Sequence, residues 1–533
     1  MGRLSTLTVI ALAAASLFGG ACRVNSAVGS LPPDASFPFG SGGQQSGSGG
    51  ALATGGVSGT GGSPAAGGAA GAPAGQGGAG TGGGAGAGVA AAVWDATIDV
   101  GTPLSQNPQN GSPVSAMSRN GDAFIAYLGL DGGLSVSRYV AAESAFDAPF
   151  LLDAKARGSS GVGVDDAGNA IAAYVDGSQN VDARHFSTSG GGSWGAVEML
   201  ASAGAQGQMF FESFAVTPSG HAVASGVYAT MSGSIISRSF VKVFEAGRGW
   251  TTAQNLFPGL TPDTLLAGIS EVGSTLKVAL AAEAMDPTQP GNVTQVYGHS
   301  FTYDLGTHSG TAGTTLTVDP SVDNNNPYLS SIASDGTGSA WLVVNELDGG
   351  GVMSQHLARF TNGAWSTTTP VGDPPVGRGT NVAVARSGDA LEAWLQCAVT
   401  ADPVTGNPTG CAIVARGYVG GAWQATVPVT PGNLGQSNAP FAAVDGQGHA
   451  VILWYLYDAG GTSLFASELD PVAGWSTPHS LETHTDGSTN ITDLSVGFGP
   501  DGTCLATWAT SSTSASGDLV SVVRAAFCHF NTP

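Results

Sequence analysis

The segment PFAAVDGQGHAVILWYLYDAGGTSLFASELDPVAGWSTP, residues 440–478, decides how the rest of the chain is read, because its plan recurs along the chain. A strand of small residues, Ala442 to Val444, enters the turn Asp445-Gly446-Gln447-Gly448, and an apolar strand follows from Ala450 to Tyr455. A Gly-Gly turn leads to a third strand near Ser463 to Leu469, and Trp475 opens a fourth. The second turn glycine is the ruler, since glycine takes positive φ without steric cost and so sets the register behind it.

That glycine recurs as Gly121, Gly168, Gly220, Gly273, Gly338, Gly388, Gly448 and Gly502, at intervals from 47 residues (121 to 168) to 65 residues (273 to 338). Two places later stand Ala123, Ala170, Ala222, Ala340, Ala390 and Ala450, and six places later stand Tyr127, Tyr174, Trp394, Trp454 and Trp508. The second strands are apolar on both faces, as in Phe124 to Tyr127 and Val451 to Trp454, so each small sheet must be covered on both sides. Radial stacking of four-stranded sheets around an axis does this, with small side chains where the wedge narrows. The fold class is therefore all-β, an eight-bladed β-propeller. The copy from Gly268 to Val318 lacks both the sixth-place aromatic and the fourth-strand tryptophan, which leaves seven blades with a divergent insert as the alternative. An orphan Val93-Trp94-Asp95-Ala96-Thr97-Ile98 precedes the first copy and looks like the missing fourth strand of the last copy, so the N-terminal strand is expected to close the ring.

Ahead of the repeats, Arg3 and the apolar run Leu7 to Phe18 have the shape of a secretion signal, ending in Gly19-Gly20-Ala21-Cys22. These residues resemble a bacterial lipobox, which implies cleavage after residue 21 and a diacylglycerol on Cys22. Gly19 stands where that motif usually has leucine. Arg23 in place of aspartate then implies sorting to the outer membrane of a Gram-negative envelope, on its periplasmic or outer side. Residues 22–92 are mainly Gly, Ala, Ser and Pro and read as a disordered tether with a reach of roughly 45 Å. Residues 93–533 form the repeat domain.

The net charge of −22, with only three lysines, argues against nucleic acid or a basic membrane-binding face. Apart from Cys22, the cysteines form two local pairs, Cys397 with Cys411 and Cys504 with Cys528, each flanking a turn between a second and a third strand. Both suit cross-strand disulfides in an oxidising compartment; free thiols are the alternative. The domain is expected to act as a monomer.

Loops entering the innermost strands are rich in side-chain amides, among them Asn110, Asn326, Asn381, Asn438 and Asn490. Repetition would set them around the axial mouth, where neutral donors and acceptors suit a hydroxyl-rich ligand; Asx-turns at strand entries are the alternative. Arg138, Arg184, Arg238, Arg359, Arg416 and Arg524 recur one per third strand, too far out along the blades to converge at the axis, and are expected to cap acids or carbonyls between blades. Glu392 reads as the only acid within a second strand and is expected to be buried beside Arg416. His185, His221, His299, His356 and His449 show no metal-ligand spacing, Asp323 to Asn326 lacks alternating acids, and no cofactor motif is present.

The repeats resemble the sialidase-like and BNR-like propeller group in architecture, over residues 93–533. The group's Asp-box is not reproduced, its nearest counterpart being Ser334-Asp335-Gly336-Thr337-Gly338-Ser339-Ala340-Trp341, and its catalytic residues are not identifiable. The expected function is thus a lipid-anchored, non-catalytic binding or adhesion module for glycan or protein ligands. The competing class is an extracellular polysaccharide hydrolase or lyase.

Overall fold

A computed structural model of the chain describes residues 92–101, 113–129, 133–156, 160–189, 191–204, 207–231, 235–285, 294–319, 326–347, 353–370, 380–385, 387–399, 409–432, 434, 436–437, 440–458, 461–513 and 519–530. These residues contain strands and turns and no helix. They form eight antiparallel sheets, each beginning with an innermost strand: Val114–Met117, Ser160–Val164, Gly207–Val216, Thr261–Val272, Asn326–Ser334, Thr380–Val384, Phe441–Val444 and Asn490–Phe498. We number the blades 1 to 8 in that order. Each innermost strand lies beside the next, and that of blade 8 lies beside that of blade 1, so the ring closes.

The closing strand is the N-terminal one. Ala92–Trp94 and Ile98–Gly101 both pair with Leu519–Phe530, placing Trp94 opposite Cys528 and Ile98 opposite Ala525. This completes the outer edge of blade 8 with chain from the opposite terminus and removes a free edge. The expected disulfides join neighbouring strands: Cys397 with Cys411 in blade 6 and Cys504 with Cys528 in blade 8.

In seven blades the ruler glycine has φ between 83° and 93°, and in six of them its N–H donates to the carbonyl three places back, as Gly168 does to Asp165. Blade 4 differs. Its Gly273, at φ 61°, sits in a tight hairpin between Val272 and Thr275, which pair directly. The strands Thr261–Val272, Thr275–Met285 and Thr294–Asp304 are correspondingly long, so the divergent copy is a complete blade and the seven-blade alternative is excluded.

The core is the set of seams between blades. One apolar cluster fills each of the eight seams, from that between blades 1 and 2 around Phe124 and Tyr174 to that between blades 8 and 1 around Tyr127 and Phe527. The sixth-place Trp454, Trp508 and Tyr174 are among the largest fully buried side chains, and burying each stabilises the ring by roughly 1.5–3 kcal/mol. The tryptophan-led outer strand is shorter than the repeat suggests. It pairs for two residues, as Ser193–Trp194, breaks, and resumes as Glu198–Ser202. The break follows the packing of the tryptophan on the aromatic opposite it: Trp194 on Phe186 at 5.5 Å, Trp365 on Phe360 at 5.3 Å.

Candidate functional site

The expected amides separate. Asn110 and Asn438 lie outside the described residues, and Asn326 opens the innermost strand of blade 5 opposite Leu347 with its side chain outside them. Asn381 is buried and its Oδ1 accepts the Ala442 N–H of blade 7 at 3.2 Å, a bond that ties two innermost strands together. Asn490 is exposed where the innermost strand of blade 8 begins, opposite Ser511. Two carboxylates also reach the next innermost strand: Glu212, on the innermost strand of blade 3, accepts Leu265 N–H of blade 4, and Glu283, on the second strand of blade 4, accepts Leu329 N–H of blade 5 at 3.3 Å.

Apart from Arg238, which is exposed, the expected arginines lie along the seams. Arg138 meets Asp122 at 2.6 Å and stands over Phe186 of blade 2, while Arg359 stands over Trp341 and over Tyr418 of blade 6. Arg416 meets Glu392 at 2.6 Å and stacks on Trp423. Glu392 is fully buried; Arg416 serves its Oε2 while its Oε1 has no partner, and burial pushes its carboxyl up to about 7 against the pull of Arg416. It is not the only acid in a second strand. Those strands run past the sixth place, and Glu283, Glu346 and Asp458 also stand in them.

A second polar feature was hidden in the sequence because it depends on register. In five blades the outer strand carries one extra apolar residue where it pairs with the third strand: Leu152, Leu200, Val318, Leu481 and Val100. Such a bulge re-aims the residue after it. That residue is Asp153 in blade 1, Asp319 in blade 4 and Glu482 in blade 7, but Ala201 in blade 2 and Gly101 in blade 8. Each of the three acids faces the following blade. There it meets the third-strand residue paired with the sixth place: Asp182 opposite Tyr174, His356 opposite Val344, or Arg524 opposite Trp508.

The three seams differ in chemistry. Between blades 7 and 8, Glu482 receives hydrogen bonds from the Arg524 guanidinium and from Trp508 Nε1, and Thr510 Oγ1 approaches at 3.4 Å. Between blades 1 and 2, Asp153 and Asp182 stand beside Tyr174, with Asp176 close to Asp182. Burial, then Asp176 and Asp153, pushes the Asp182 carboxyl up to about 6, and burial with Asp153 and Asp182, against the pull of Arg184, pushes Tyr174 up to about 12. Between blades 4 and 5, Asp319, Glu346 and His356 bring one donor atom each to within 4.8 Å of one another. Burial lowers the His356 pKa, against the attraction of Asp319. The signal that could have found these acids is the apolar–acid dipeptide just before an entering loop: Leu152-Asp153, Val318-Asp319, Leu481-Glu482.

Compared with known proteins, the chain matches no family model and no curated sequence. Among solved structures it is similar to a protein of unknown function from Dyadobacter fermentans, 13% identical, with TM-score 0.37, covering 82% of this chain and 99% of that one. It is similar to the six-bladed fucose-recognising lectin of Aleuria aurantia at 12% identity and TM-score 0.32, covering 70% of this chain and 96% of that one. It is also similar to the hemagglutinin-neuraminidase ectodomain of parainfluenza virus 5 at 9% identity and TM-score 0.35, covering 83% and 85% of the two chains. The strand pairing of the chain itself makes the ring a propeller.

Proposed function

We infer that the chain is a non-catalytic binding module of a bacterial cell envelope, lipid-anchored through Cys22 and raised on the tether of residues 22–92, with a glycan or a protein as ligand. The observation that supports binding over catalysis is the use made of polar groups near the axis. Glu212, Glu283 and Asn381 each give a side-chain oxygen to a backbone N–H of the next innermost strand. A carboxylate held in this way is committed to the ring and poorly placed to exchange protons with a substrate. The two disulfides fit an oxidising compartment, as the lipid anchor requires.

One observation favours the rival reading, a polysaccharide hydrolase or lyase. Burial pushes the half-buried Glu283 carboxyl up to about 7, and Asp263, also raised by burial, stands at the neighbouring bulge of the same blade. Paired carboxyls of unlike acidity are what glycoside cleavage uses. Incubating the purified full chain with a panel of immobilised and soluble polysaccharides separates the readings. The binding module retains glycan and releases no new reducing or unsaturated ends. Release of such ends that disappears in Glu283→Gln establishes the hydrolase or lyase instead.

A further inference from the structure

Asp319, Glu346 and His356 form the only group of three potential metal donors gathered this closely among the described residues. They come from two blades. Asp319 ends the outer strand of blade 4, Glu346 stands two places beyond Val344 in the second strand of blade 5, and His356 lies directly opposite Val344 on the third. Alternation along the strands puts Glu346 and His356 on one face of blade 5, and His356 Nε2 lies 3.4 Å from Glu346 Oε2 and 3.4 Å from Ser354 Oγ. Asp319 is only 4% exposed, yet its Oδ2 has no hydrogen-bond partner. An unpartnered carboxylate oxygen at that depth is costly unless something cationic meets it.

The equivalent seam between blades 7 and 8 shows what a self-sufficient solution looks like. There the same register position supplies Arg524, whose guanidinium serves Glu482, and Thr510 stands where Glu346 stands in blade 5. A guanidinium carries its charge permanently and cannot ligate a metal. Between blades 4 and 5 the arginine is replaced by an imidazole and the threonine by a second carboxylate, so the permanent positive charge is lost. We propose that Asp319, Glu346 and His356 bind a divalent transition-metal ion of the zinc class, clasping blade 4 to blade 5.

The donor set fits that class. Zinc accepts imidazole nitrogen and carboxylate oxygen at about 2.0–2.2 Å, which puts tetrahedral donors roughly 3.4 Å apart; His356 and Glu346 already stand 3.4 Å apart, and all three donors lie within 4.8 Å. Calcium needs six to eight oxygens and magnesium a near-ideal octahedron of them, which three donors including an imidazole do not offer. The fourth position is left to water or ligand.

The test is titration of the metal-stripped full chain with Zn2+, Ca2+ and Mg2+, following heat of binding and melting temperature. Zn2+ should bind at one equivalent and raise the melting temperature, with no comparable rise from Ca2+ or Mg2+. Asp319→Asn, which keeps the side-chain shape, and His356→Ala should each weaken Zn2+ binding tenfold or more while keeping the circular dichroism of the parent. Loading the unaltered chain with Co2+ reads the site without any variant, and visible d–d absorption abolished by excess Zn2+ is expected. Absence of Zn2+ uptake, absence of the Co2+ bands, or equal Zn2+ affinity in parent and both variants overturns the proposal.

Discussion

The seams between blades 7 and 8 and between blades 4 and 5 receive an acid at the same bulged position and treat it in opposite ways. Glu482 meets a guanidinium and an indole N–H from the next blade, whereas Asp319 meets an imidazole and a second carboxylate and keeps one oxygen without a partner. One scaffold position thus serves as a structural ion pair in one seam and as a proposed metal ligand in the other. The difference lies in the residues opposite the sixth place and two places beyond it, Arg524 and Thr510 against His356 and Glu346. It also separates what the ring needs to stand from what it has available for a ligand.

The largest effect should come from removing the strand that completes the self-sufficient side. Deleting residues 92–101 strips the outer edge of blade 8 and removes Ala92 and Val100 from the seams on both sides. The expected outcome is aggregation in place of cooperative melting, seen by light scattering; a deletion that melts like the parent breaks the account of closure. Arg524→Met should come next, since it takes the permanent cation from Glu482 and leaves that carboxylate to Trp508, Thr510 and the His484 imidazole. Because the Arg524 side chain is 26% exposed, the cost should fall at the low end of the range for a broken buried pair, about 3 kcal/mol by urea melts.

A smaller effect concerns acidity in the seam between blades 4 and 5. Glu283 reaches blade 5 through Leu329, and burial raises its carboxyl from 4.5 to about 7. A carboxyl raised by folding contributes stability that is complete below 4.5 and lost as pH rises through about 7. Melting temperature should therefore fall between pH 5 and pH 8, and Glu283→Gln should flatten that part of the fall. The smallest effects separate two amides. Asn381→Ala abandons a buried N–H and should cost about 1 kcal/mol or more, whereas Asn490→Ala at its exposed rim position should stay within about 0.5 kcal/mol. If Asn490→Ala alone weakens glycan binding, the amide-lined mouth is sharpened to that side.

Much of the ring was legible because its markers are local. Gly448 demands positive φ and Trp454 demands a buried place six residues on, and both requirements can be read within one strand and turn. Blade 4 was obscure because Gly273 serves a tighter hairpin, which shifts the register on which the sixth-place rule depends. The orphan strand at Trp94 could be placed because its tryptophan matched the other outer strands, although its partner Cys528 stands at the far end of the chain. The seam acids were not legible. Asp319 and His356 belong to different blades, and their approach is set by a one-residue bulge at Val318 that no spacing between them encodes.

On this reading the residue that meets the bulged acid decides whether a seam is self-sufficient. Installing the arginine of blade 8 at the matching place in blade 5 tests it in one variant, His356→Arg, melted with and without Zn2+. The account predicts a higher melting temperature than the parent in the absence of metal and no further rise when Zn2+ is added. A variant that melts lower than the metal-free parent and still gains stability from Zn2+ as the parent does would contradict it.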